Sequence, residues 1–262
     1  MKNFLMMLKA DFYRAFFSMG FLMGIVSTIA IFYFGSIGMM TGIGSAVAVF
    51  NNTYKYNNIS QLLILAATFA YSASFCIDWQ TKFHYSLIVR SKTTAYTLAK
   101  CLAAVVAGGL SVAIGVLLFI GCICITQPSI LPQAMEIEVE FSVQAFGDLL
   151  MMRQAGLFFL SYLYIIFLQA AFFSILGLLA SAYLPNKYAA YISPFILGFA
   201  MNQAANVLHL PIWLDPVKLA TASIRNTPAV TIILMATATY VSLIGICTIL
   251  FTYKVKRRMS NG

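Results

Sequence analysis

The chain has 262 residues, of which 61% are apolar and 9% charged. Soluble domains carry about 25% charged residues, and a globule of this size cannot cover its surface with 16 Lys+Arg and 7 Asp+Glu. Disorder needs low hydrophobicity, so composition leaves an integral membrane protein.

The charges are segregated. Residues 15–54, 56–77, 101–135, 154–186, 188–214 and 226–253 contain no Asp, Glu, Lys or Arg. A helix needs about 20 mostly apolar residues to cross a bilayer, and backbone groups in hydrocarbon must pair within their own segment. Outer-membrane barrels alternate in short strands, and these runs do not. The expectation is therefore an all-α polytopic membrane protein, one transmembrane domain over 1–262. Its six spans are about 21–40, 61–77, 101–125, 155–183, 188–208 and 229–253.

Ahead of the first span, Phe4, Leu5, Leu8, Phe12 and Phe16 form a helical stripe. Lys2, Lys9, Asp11 and Arg14 are read as lying away from it. Residues 1–18 thus read as a helix lying in the membrane interface. Ala46-Val47-Ala48 fits a leader-cleavage pattern, but the preceding apolar stretch is too long for a signal peptide.

The segment 41–60 is rich in Gly, Asn and Tyr and reads as an external loop, where turn chemistry accounts for Asn51, Asn52 and Asn58. The segment 78–100 is the one substantial internal loop on the opposite side. Asp78 is a plausible N-cap there, and Trp79, Phe83 and Leu87 recur at helical spacing among Lys82, Arg90, Lys92 and Lys100. A docking element and an amphipathic helix resting on headgroups both fit this pattern.

The third span carries small residues at Ala104, Gly108, Ser111 and Gly115, spaced for close helix approach. Spacing does not say whether the neighbour is in the same chain. Past Pro128 and Pro132, Glu136, Glu138 and Glu140 alternate with Ile137 and Val139. They form a carboxylate face if extended, read as a solvated edge. Pro194 should bend the fifth span. Asn202, Gln203 and Asn206 follow in its outer half, as candidates for a polar pathway or for helix–helix hydrogen bonds. Pro211, Trp213 and Pro216 suggest short interfacial or re-entrant pieces.

Six spans place both termini on one side, with twelve Lys and Arg there and four on the other. Basic residues mark the cytoplasmic side, so both termini are expected in the cytoplasm. The net charge of +9 is then a topology signal, and nucleic-acid binding is not expected. The chain has no GxxxxGK[ST] loop, HExxH or GxSxG. No metal site or cofactor is expected in it, and it does not read as an enzyme. Cys122-x-Cys124 is read as apolar filler rather than a redox pair.

The layout resembles the ABC-2 type permease subunits, the membrane halves of ATP-binding-cassette exporters. The resemblance is carried by Phe75-Cys76-Ile77-Asp78-Trp79, by Leu87-Ile88-Val89-Arg90-Ser91-Lys92, and by Tyr96 with Lys100. These match an acid, a short amphipathic helix, a Leu-rich stretch ending in Arg, and a Tyr-x-x-x-Lys entry to the third span. Many members have Glu followed by Gly where this chain has Asp78 and no Gly.

The resemblance implies a type V exporter-like architecture in a bacterial plasma membrane. It also implies a second permease chain, identical or different, and a separate cytoplasmic ATPase holding ATP and Mg. The coupling residues would be Asp78, Trp79, Lys82, Phe83, Leu87 and Arg90. By family analogy the cargo is amphipathic or hydrophobic, a peptide, antibiotic or lipid-like molecule. A non-transporting scaffold or accessory subunit is the rival reading. An intramembrane enzyme would need a polar cluster, for which only Asn202, Gln203, Asn206 and Gln169 are available.

Overall fold

The computed structural model describes residues 2–40, 44–56, 59–82, 93–133, 141, 144–221 and 227–260. Among them there is no strand, and helices account for most of the chain. In order they are α1 (Lys2–Phe16), α2 (Met19–Ser36), α3 (Ala46–Tyr56), α4 (Ile59–Tyr71), α5 (Ser74–Gln80) and α6 (Thr93–Thr126). They continue as α7 (Gly147–Met151), α8 (Ala155–Tyr183), α9 (Lys187–Val207), a 3-10 turn (Ile212–Leu214), α10 (Pro216–Ala220) and α11 (Ala229–Ser260).

Five helical stretches are long and apolar enough to cross a membrane: Met19–Ser36, Ile59–Gln80, Thr93–Thr126, Ala155–Tyr183 and Ala229–Met259. The chain is accordingly a multi-pass membrane protein by helix length and composition. The remaining expected span, 188–208, coincides with α9 but is the more polar helix, because Asn202, Gln203 and Asn206 interrupt it. It lies antiparallel beside α4 and α8: Thr68 donates to the Tyr191 carbonyl at 3.2 Å, and Gly198 sits against Ile64 and Phe173.

The centre of the bundle is α8 with α6 and α4, which are largely buried, whereas α2 and α11 bury only 28% and 22% of their apolar windows. The small-residue stripe of α6 explains the close approach. Gly108 faces Ser174 of α8 and the Ala67 carbonyl of α4, and Gly115 faces Thr28 and the Ile25 carbonyl of α2. Ser174 donates to the Ala104 carbonyl at 2.9 Å. The stripe's neighbours are therefore within this chain.

One end of the bundle gathers α1, α5, the start of α6, the α8–α9 turn and the last turns of α11. The opposite end is capped by short helices, and here the expected loop 41–60 is corrected. Residues Ala46–Tyr56 form α3, which is inserted among the spans with Phe50 and Tyr54 fully buried. Phe50 and Tyr54 stack on Phe32 of α2 and meet Tyr162 of α8 edge-on. Buried aromatic area, not turn chemistry, decides this segment. Asn51 is buried and donates to Gln144 Oε1 at 2.8 Å. Tyr54 donates to the Ala220 carbonyl, and Asp148 accepts from the first backbone N–H of α11 at 3.0 Å. The 3-10 turn and α10 are the short pieces expected between 209 and 227.

Candidate functional site

The basic end centres on Asp78, 2% exposed. After a bend at Ser72–Ala73 the chain re-enters a helix, and Asp78 falls inside α5, not at an N-cap. It faces the start of α6, where Tyr96 and Lys100 stand four residues apart on one face. Asp78 Oδ2 takes the Lys100 ammonium at 2.8 Å and accepts from Tyr96 OH at 3.0 Å. Its Oδ1 meets the Arg14 guanidinium at 3.4 Å. Asp11 of α1 accepts from Tyr71 OH at 2.7 Å and lies 3.7 Å from Lys100. The Lys100 ammonium also stands over the rings of Tyr71 and Tyr96, at 5.2 and 5.4 Å.

Lys100 is fully buried. A buried ammonium is expensive unless paired; here two carboxylates and two ring faces balance it, and the Arg14 guanidinium offsets the second carboxylate charge. At 1.5 Å per residue, Lys100 lies roughly 39 Å from the far end of α6. A hydrocarbon core is about 30 Å thick, so α6 is long enough to cross it and still carry Lys100 past its edge.

The cluster also revises the reading of α1. Asp11, placed off the buried stripe by the sequence pattern, is 6% exposed and faces the bundle with Ala15, while Leu5 is 59% exposed. The electrostatic demand of Lys100 outweighs the apolar stripe. The signal that points to this pairing is the conjunction of Tyr96-x-x-x-Lys100 with Asp11 and Arg14 one turn apart.

Next to Asp78, the Trp79 ring lies 5.8 Å from Phe75 and carries the Arg258 guanidinium at 4.4 Å. Arg258 donates to the Ala182 carbonyl at 3.0 Å, and Gln80 donates to the Pro185 carbonyl at 3.2 Å. Lys82 is exposed, in left-handed backbone with φ 56. The loop expected over 78–100 is shorter than read, because α5 reaches Gln80 and α6 begins at Thr93. Phe83, Leu87 and Arg90 lie outside the described residues, as do Glu136, Glu138 and Glu140.

Asn202, Gln203 and Asn206 are not brought to this cluster. They sit on the outer part of α9, with Gln203 and Asn206 exposed and Asn206 donating to Asn202 Oδ1 at 3.0 Å. Gln169 is buried separately in α8 and donates to the Ser60 carbonyl. Among the described residues no three His, Cys, Asp or Glu side chains group as a metal site, and all five cysteines are free.

The arrangement can do one thing mechanically. It locks α1, the α4–α5 segment and the entry of α6 into one unit, with the C-terminal helix and the α8–α9 turn joined through Trp79 and Gln80. No family model, no curated protein and no solved structure matches this chain.

Proposed function

We propose that this chain is the permease subunit of an ATP-driven exporter of the ABC-2 kind, paired with a second permease and docked on a separate ATPase. The observation that carries the proposal is Asp78. The acid that opens the coupling segment in the resemblance is held by Lys100, Tyr96 and Arg14. A push on residues 78–92 is thereby delivered to three helices at once rather than absorbed by one loop. Trp79, Lys82, Phe83, Leu87 and Arg90 contact the ATPase in this reading, which supplies the ATP and Mg chemistry.

In this proposal α9 is the sixth crossing, about 31 Å long at 1.5 Å per residue, and the basic end faces the cytoplasm of a bacterium. The excess of Lys and Arg supports that orientation. The amides of α9 face a pathway formed with the second permease, and the cargo is amphipathic or hydrophobic.

The test is co-purification with the cognate ATPase and stimulation of its activity, comparing wild type with Trp79→Ala/Phe83→Ala. Loss of both is expected. Arg258→Ala is the control, since it removes the intramolecular contact to Trp79 and leaves the loop intact. Unchanged association in the double variant, or equal loss in the control, counts against the proposal.

A further inference from the structure

We infer that the turn between α8 and α9 is a second docking element for the ATPase, with Leu184 and Tyr188 seated in an apolar groove and Lys187 paired with an acidic rim around it. The inference rests on the transport reading. It adds to that reading a surface outside residues 78–92 and the charge that the partner must carry.

The turn is short and fixed on every side. Asn186 Oδ1 accepts from the Tyr188 N–H at 3.0 Å and caps α9. The Leu184 N–H donates to the Ala180 carbonyl at 2.9 Å and ends α8. From α11, Arg258 donates to the Ala182 carbonyl at 3.0 Å, and the Lys254 ammonium stands 4.3 Å over the Tyr183 ring. From α5, Gln80 donates to the Pro185 carbonyl at 3.2 Å. Lys82 lies only two residues past Gln80, so the turn and the start of the coupling segment form one continuous surface. A partner seated on one meets the other.

The contacts from α11 also set the level of the turn. Lys254 and Arg258 reach it, and Lys256 and Arg257 lie between them in sequence. Charges so grouped belong outside hydrocarbon, and the turn beside them does too. Lipid tails therefore do not cover Leu184, 59% exposed, or Tyr188, 73% exposed. Apolar side chains held on rigid backbone outside the lipid have the form of interface anchors.

Charge decides the chemistry of the partner. Lys82, Lys187, Lys256 and Arg257 are exposed. The two acids described at this end, Asp11 and Asp78, are buried and held by Lys100 and Arg14. The face is thus positive with no exposed acid among the described residues, and an acidic rim complements it. The Gln80–Pro185 bond favours the ATPase over a bilayer surface as the occupant, because it ties the turn to the segment that the ATPase grips.

The test measures association of the detergent-purified full chain with the cognate ATPase as a function of salt. Leu184→Asp should weaken association about ten-fold, as loss of an anchor does. Lys187→Glu should weaken it by a similar factor, with a shallower fall of affinity on adding salt. Lys9→Glu makes the same charge change on α1, at the same end, and should stay within about two-fold of wild type. All three side chains are exposed, so melting temperatures should match wild type.

Wild-type association in both turn variants, with release by Trp79→Ala/Phe83→Ala, overturns this inference and leaves the transport reading standing. Wild-type association in all of them overturns both. Equal weakening by Lys9→Glu overturns the inference in favour of a general charge effect. Binding to phosphatidylglycerol vesicles that Lys187→Glu weakens, with ATPase association unchanged, assigns the turn to lipid and overturns it as well.

Discussion

Lys100 is the residue on which most of the basic end depends. Removing one member of a buried ion pair strands the other's charge and costs about 3–5 kcal/mol. Lys100→Met and Asp78→Asn should each destabilise the protein by that order in detergent melts, while the double variant should recover part of the loss because neither member of the 2.8 Å pair is left stranded, although Asp11 and Arg14 each still lose a partner. A double variant as unstable as the sum of the singles would show that the two side chains act independently.

Lys55 makes a second prediction at this scale. Its ammonium donates to Gln144 Oε1 at 2.7 Å, and burial lowers its pKa from 10.5 to about 8. The unfolded chain therefore binds this proton more tightly than the fold does, and stability rises with pH between about 8 and 10.5. Below that window the charged form is a constant penalty. Melting curves of wild type and Lys55→Met across this range should converge or cross in the wild type's favour as pH rises. A pH-independent difference would refute the assignment.

Among the elements, α6 is the spine, and its glycines are not equivalent. A Cβ at Gly108 meets Ser174, and one at Gly115 meets Thr28, so Gly108→Leu and Gly115→Val should each cost about 1–3 kcal/mol by overpacking. Gly121 and Gly245 have nothing within 4 Å of such a Cβ. Alanine there should be neutral or stabilising by up to about 1 kcal/mol from helix propensity alone. Thermal denaturation in one detergent separates the two pairs. The sequence shows the small-residue spacing but not the partner, because spacing records how close a neighbour comes and not which chain supplies it.

For the whole molecule, the antiparallel passage of α9 beside α4 and α8 and the basic end together make a topology prediction. On a cysteine-free background, Lys82→Cys should label only from the cytoplasm and Arg153→Cys only from outside. Labelling of position 82 from outside would reverse the proposed orientation and remove the ATPase docking site with it.

The helices themselves are legible in the chain: the expected spans fall on α2, α4, α6, α8 and α11, although α6 begins eight residues earlier and α11 runs seven residues farther than read, because a backbone in hydrocarbon has no alternative to pairing within its own segment. α8 is read to the residue, since Gln154 and Pro185 mark its limits. The segment around α3 is misread because Asn and Tyr favour loops locally, and Phe32, Phe159 and Tyr162, from other helices, supply the aromatic surface that buries it. Asp11 in α1 and Lys100 in α6 are separated by the whole of α2 to α5, so neither charge by itself predicts its burial. Composition fixes what must be inside lipid, a property of each segment alone. Which charges may follow it there depends on partners that only the folded bundle brings within 4 Å.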